Sequence, residues 1–197
     1  MNLKKKKYSE WLNQMLLDLN YQHTDYYKHI LPFTRNGILL DTSVMLIYID
    51  GLIQTRFKKE DEPWNYKCLL AFFDKIKVNN RWENFMITPS ILTEICNHVK
   101  NNNNRRGDYK IIFTEILSVL DAIKEKIAKK EHIIARFKKF NHFEIGDISI
   151  SLVAEDILVS SEKIAILSKD HFFVDKYEND PRVMVMDFNK SVLGMTN

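Results

Sequence analysis

Glycine and proline are scarce in this chain, five and four residues in 197, and cysteine is scarcer still. So few chain breakers leave no room for a flexible interdomain linker, and no internal repeat marks a tandem array. Cys68 and Cys96 stand far apart, with no C-x-x-C and no Cys/His cluster. That spacing excludes a disulfide framework and a structural zinc site, and makes a reducing, cytoplasmic compartment the expectation. No apolar run approaches the roughly 18 residues that a membrane helix needs. The basic start, "MNLKKKKYSEWLNQMLLDLN", is interrupted by Glu10, Asn13, Gln14 and Asp18. It reads as an amphipathic helix and not as a signal peptide, so no membrane partner is expected.

What the chain does have is a composition of 45% hydrophobic and 28% charged residues, which is that of a folded, soluble protein. One domain of ordinary size with an added arm fits the length. Net charge is only +3, but it is unevenly spread. Residues 100–140 hold 11 basic and 5 acidic side chains, whereas residues 141–197 hold 5 and 10. A basic middle beside an acidic end suits a polyanion-binding surface next to a carboxylate cluster. Lysine-rich solvated helix faces explain the same numbers, and charge alone favours them.

Hydrophobic patterning alternates along the chain. Residues 8–30 read as a helix with Trp11, Met15, Leu16 and Leu19 on one face, inside a helical extension over 1–36. "ILL" at 38–40 is a short buried strand. Helices are expected over 43–57 and 64–77, separated by the charged turn "KKEDEP". "NFMIT" at 84–88 is a second strand. Thr88 then caps a helix whose first position is Pro89, where the missing N–H costs nothing. Further helices are expected over 108–128, 130–140 and 147–160, the last with Ile148, Leu152 and Leu158 inward. "KIAILS" at 163–168 and "RVMVM" at 182–186 are the remaining strands. Short β-rich runs separated by helices predict an α/β fold with a parallel sheet covered on both faces.

In such a sheet, ligands bind outside the carboxyl ends of the strands. Asp41 directly follows the first strand, and Asp170 follows the third of these strands. Glu94 lies in the helix after the second, and Asp147 opens a helix. Each acid taken singly is explained as a helix cap or a solvated residue. Jointly they are four carboxylates flanked by apolar residues, and buried carboxylates call for a cation or compensating donors.

Asp41 in "ILLDTSV", Glu94 in "ITPSILTEI", Asp147 in "GDISISLVAE" and Asp170 in "IAILSKDHFF" resemble the four acidic motifs of the PIN-domain nucleases, the VapC-like ribonucleases. The resemblance covers residues 37–190. It implies a three-layer α/β/α sandwich with a central parallel sheet of four to five strands. It also implies a metal-dependent endonuclease acting on RNA, a class whose bacterial members include toxins of type II toxin–antitoxin pairs. The chain departs from the pattern in a longer interval between Asp41 and Glu94. It also lacks a second acid before the aromatic of "KDHFF", so Asp175 stands as an alternative fourth acid.

Four oxygen donors without cysteine or a histidine pair select Mg²⁺ or Mn²⁺ over zinc. Asp41 and Asp147 are assigned as the main direct ligands, with Glu94 and Asp170 binding a second ion or orienting the attacking water. Crowding of like charges is expected to raise at least one carboxyl pKa. Ser43 and Ser168 have two readings, support of the site or helix capping, and Thr42 shares them. Arg105, Arg106, Lys138 and Lys139 are candidates for phosphate contacts on RNA, or are solubilising charge. Phe172, Phe173 and Trp82 read as core, and His98, His142 and His171 receive no catalytic role. The arm offers a seat for the body itself, a cognate antitoxin or a second subunit of a homodimer.

Two other classes compete. A haloacid-dehalogenase-like phosphatase wants a second Asp two residues after the first, and here that position is Ser43. A catalytically silent member of the same fold, serving as an RNA-binding or protein-interaction module, is the alternative within the resemblance.

Overall fold

A computed structural model of the chain describes residues 24–57, 61–103, 109–139, 143–161 and 163–192. Of the expected arm helix, only the end falls among these, as helix α1 (Thr24–Thr34). Trp11, Met15, Leu16 and Leu19 lie outside the described residues, as do Arg105, Arg106 and His142. Ile30 of α1 is fully buried, and the Tyr27 ring sits 6.1 Å from that of Phe72. This end of the arm is therefore packed on the body.

The chain then turns at Asn36-Gly37. Gly37 has φ +100°, the left-handed region that favours glycine, and a Cβ there would meet Met86 Cε at 2.9 Å. Asn36 Nδ2 donates to the Lys163 carbonyl at 2.8 Å, which sets the first and fourth strands side by side. Strand β1 (Ile38–Leu40) is wholly buried and pairs in parallel with β2 (Phe85–Ile87) on one side and β4 (Ile164–Ser168) on the other. Beyond β2 lies β3 (Lys124–Glu125), and beyond β4 lies β5 (Val183–Asp187), both parallel again. The order is β3-β2-β1-β4-β5. Uninterrupted aliphatic runs such as "ILL" and "IAIL" are what strands buried on both faces require.

Helices connect the strands: α2 (Thr42–Leu52), α3 (Trp64–Lys75), α4 (Pro89–Asn103), α5 (Tyr109–Ala122), α6 (Lys130–Lys139), α7 (Ile145–Ser160) and α8 (His171–Tyr177). The protein is thus α/β with a five-stranded, all-parallel central sheet. Among the described residues no helix is long and apolar enough to cross a membrane. Pro89 opens α4 as expected, and Thr88 Oγ1 accepts the Ile91 N–H at 3.4 Å.

Three expectations are corrected. The helix expected over 108–128 stops at Ala122, and Lys124–Glu125 is the edge strand β3. Its two side chains are exposed, so it joins the sheet through backbone pairing alone and carries no hydrophobic signal. The expected 43–57 helix loosens after Leu52 into a π-helical turn over Ile53–Phe57. In α7, burial is not confined to one stripe. Gly146–Ser151 is buried throughout, whereas Leu152 and Leu158 are half-buried, because the first turns of this helix enter the body.

From β1 the chain runs outward on one side through β2 to β3, then returns to the other side of β1 for β4 and β5. That reversal is a topological switch point, where a crevice opens outside the carboxyl ends of β1 and β4.

Candidate functional site

A crevice of about 500 Å³ is present at that point, and Asp41, Glu94, Asp147 and Asp170 all line it. Thr42, Ser43, Glu144, Lys169 and His171 complete its polar wall.

Asp41 is the first residue past β1 and sits at the N-cap position of α2, yet its side chain makes no capping bond. Its Oδ2 instead accepts two hydroxyls, Ser43 Oγ at 2.6 Å and Ser168 Oγ at 2.8 Å. Asp41 is only 7% exposed, so these two donors compensate a carboxylate withdrawn from water. Each hydroxyl also accepts from the turn after β4. Ser43 Oγ takes the Lys169 N–H at 3.2 Å and Ser168 Oγ the Asp170 N–H at 2.8 Å. Both serines therefore tie the end of β1 to the end of β4 through the Asp41 carboxylate.

Asp170 does cap a helix, since its Oδ1 accepts the Phe172 N–H at 2.9 Å at the start of α8. The cap and the crevice position coexist in one side chain. Glu94 reaches over from α4, and its Oε2 accepts Thr42 Oγ1 at 2.5 Å. Asp147 lies in the first turn of α7, 9% exposed. A hydrogen bond between Thr88 and Ser149 hydroxyls, 2.6 Å, fastens this turn to the end of β2. Gly146 permits the close fit: a Cβ there would stand 3.0 Å from Glu94 Oε1.

The Asp147 carboxyl is pushed up to about 7, first by burial and then by the charges of Asp41, Asp170 and Glu144. The expected crowding of like charges is thus visible at one acid, with burial as the larger cause. Among the described residues, Lys169 is the one lysine or arginine lining the crevice.

The donor set, all oxygen and strongly anionic, fits a hard divalent cation better than a soft one. As they stand, no three histidine, cysteine, aspartate or glutamate side chains among the described residues converge closely enough to hold an ion. Glu94, Asp41 and Asp170 each have one oxygen engaged by a protein donor, and a carboxylate has two.

The other expected site residues fall elsewhere. Lys138 and Lys139 are exposed on the last turn of α6 and do not line the crevice. Asp175 is exposed and lines a neighbouring cavity, so Asp170 is the acid that joins the other three. Phe172 is half-buried and lines that cavity too, while Phe173 is core, as expected.

Sequence reasoning passes over Glu144 and Lys169, although "FEIGD" and "SKD" set each beside a chosen acid. It also passes over Asp187, the last residue of β5 and 3% exposed. Asp187 Oδ1 accepts the Asn189 N–H at 2.8 Å, and its Oδ2 faces His171 Nδ1 at 3.5 Å, beyond ordinary hydrogen-bond length.

Fold and geometry together define a carboxylate-lined crevice at the switch point of a parallel α/β sheet. The chain matches no protein-family model, no curated protein and no solved structure.

Proposed function

We propose that the chain is a metal-dependent endoribonuclease of the PIN type, hydrolysing RNA phosphodiester bonds with Mg²⁺ or Mn²⁺ at the four acids. The reading takes the fold as the three-layer α/β/α sandwich of that family, with residues 1–36 as an added arm. What carries it is the joint lining of one crevice by four acids drawn from across 130 residues of chain, Asp41 to Asp170.

Asp41, Glu94, Asp147 and Asp170 would hold the metal. When bound, it supplies positive charge for the scissile phosphate and acidifies a water. The chain's own residues supply the frame. Ser43 and Ser168 fix the Asp41 carboxylate through Oδ2, leaving Oδ1 as the second oxygen. Thr42 orients Glu94 in the same way. Lys169, exposed at the rim, is suited to a non-bridging phosphate oxygen. The Asp147 pKa is raised first by burial and then by its neighbours' negative charge, and a divalent ion beside it would favour the ionised form against both.

The deciding assay is cleavage of single-stranded and structured RNA in Mg²⁺, in Mn²⁺ and in chelator, with wild type and Asp41→Asn. Cleavage by the wild type in metal alone is expected, with loss in the variant. Equal cleavage by both proteins would sink the site assignment. RNA bound but uncut in either ion is the outcome of the alternative, a catalytically silent RNA-binding or interaction module. Growth arrest on expression, relieved by a neighbouring gene's product, would assign the chain as a toxin with a cognate antitoxin.

A further inference from the structure

A second cavity, of about 440 Å³, adjoins the crevice, and nothing in the proposed cleavage uses it. Its wall includes Phe143, Ile148, Ser151 and Phe172. The Phe143 and Phe172 ring centroids lie 4.2 Å apart with their planes tilted by 41°. Set among this apolar surface is a hydroxyl that the fold does not use. Ser151 is 1% exposed, and its Oγ has no hydrogen-bond partner among the described residues. Tyr177 donates only to the Ser151 backbone carbonyl, at 3.4 Å. A buried hydroxyl without a partner is unfavourable, and a polar group of an occupant that reaches it would relieve that cost.

Charge narrows the occupant. Arg136 and Lys176 also line the cavity, and both are bound by Glu155, at 2.8–3.0 Å and 3.1 Å. Exposed Asp175 adds a second carboxylate. Two cations matched by two anions leave no net charge for a phosphate. An uncharged planar ring with polar edges suits the place: aromatic faces for stacking, and a hydroxyl that both donates and accepts.

Position narrows it further. Ile148 directly follows Asp147, and Phe172 lies two residues after Asp170. The cavity and the crevice thus share the first turns of α7 and α8.

We propose that this cavity receives one unpaired nucleobase of the RNA strand whose phosphate lies against the four acids. The inference rests on the ribonuclease reading and adds to it a requirement for an unstacked base beside the cut.

The test uses the full chain carrying Asp41→Asn, a short single-stranded RNA, and versions of that strand with one abasic nucleotide at successive positions. Fluorescence anisotropy in Mg²⁺ reads binding, and wild-type digestion locates the cut. An abasic nucleotide at one position beside the cut is expected to weaken binding about tenfold. Phe143→Ala is expected to weaken the intact strand by a similar factor and to erase the penalty at that position, as residues sharing one interaction do. Ser151→Ala should not lower the melting temperature, because its buried hydroxyl has no partner to lose, and should weaken the intact strand several-fold. Melting curves of both variants check the fold. RNA that is cut normally but insensitive to an abasic nucleotide at every position overturns this proposal and leaves the nuclease standing. RNA neither bound nor cut overturns both.

Discussion

Helix α7 carries two carboxylates on its length whose surroundings are opposite in sign. Glu155 is gripped by Arg136 through both oxygens and by Lys176 through one. Burial pushes its pKa up, but hydrogen bonds from the two cations outweigh that and hold it below the ordinary glutamate range. Asp147, two turns earlier, is buried among Asp41, Asp170 and Glu144, and its pKa rises to about 7. The Glu155 cluster sets one anion between two cations and joins α6, α7 and α8. The Asp147 cluster opposes folding. Two buried carboxyls, Asp41 and Asp147, crowded by the exposed acids Asp170 and Glu144, are kept only where something other than stability is gained, and that is the physical warrant for placing function there.

The sharpest way to test this contrast is to neutralise each carboxylate and read activity and stability together. Asp147→Asn is expected to lower RNA cleavage by at least about a hundredfold, since it removes a proposed metal ligand. The same substitution should make the protein harder to unfold at pH 8. Loss of activity with loss of stability would place Asp147 with Glu155, as a structural residue.

The pH dependence of stability separates the two acids next. A carboxyl with a higher pKa folded than unfolded binds its proton more tightly in the folded state. For Asp147, stability is therefore expected to fall as pH rises from about 4 to about 7 and to level off above that. The size is on the order of a few kcal/mol. Urea unfolding of wild type and Asp147→Asn should coincide near pH 4 and diverge by pH 8, with the variant more stable. Adding Mg²⁺ at pH 8 should raise the wild-type midpoint more than the variant's.

Glu155 reverses that sign with a smaller effect. Its folded pKa is depressed, so its contribution is present above about 4.5 and is lost as pH falls through the folded value. Glu155→Gln is expected to cost about 1 kcal/mol at pH 7, because water reaching its 40% exposed side chain screens the pairs. Added salt should shrink the difference, and RNA cleavage should stay within about threefold of wild type. An Asp147-like gain in stability at high pH would remove the distinction between the clusters.

How much of this contrast is legible in the residues alone depends on what carries each part. Strands β1, β2 and β4 are visible because "ILL", "FMI" and "IAIL" are buried on both faces and read as unbroken apolar runs, and the edge strand β5, half-buried at Met184 and Val185, is apolar through "VMVM". Strand β3 is invisible, because two exposed charged residues join the sheet by backbone pairing only. The four acids stand out because strand–helix junctions are local features of the sequence. Asp170 lines the crevice and Asp175 the neighbouring cavity, a difference of tertiary placement that no local pattern records. Buried Asp187 accepts the Asn189 and Lys190 N–H groups of the π-helical turn Phe188–Val192 through Oδ1, a turn that the apolar pattern does not announce. Glu155 reads as an ordinary helix acid, since its partners are 19 residues before it and 21 after it.

The smallest change separates the site from the fold at a single methyl group. Gly146 lies beside Asp147, and a Cβ there would stand 3.0 Å from Glu94 Oε1 and 3.1 Å from Ile91 Cδ1. Replacing a helical glycine by alanine ordinarily stabilises by up to about 1 kcal/mol. Here the contact with Ile91 opposes that gain, so Gly146→Ala should leave stability within about half a kcal/mol of wild type. The carboxylate on the other side has a flexible stem and gives way by a few tenths of an ångström. Such a displacement is negligible in packing but falls on a group that must meet a cation with defined geometry. Cleavage is therefore expected to drop several-fold while the unfolding midpoint stays put. The loss should be larger in Mg²⁺, which demands near-ideal octahedral geometry. A parallel fall in stability and rate would mean that Glu94 is held by the fold's packing and not by the requirements of an ion.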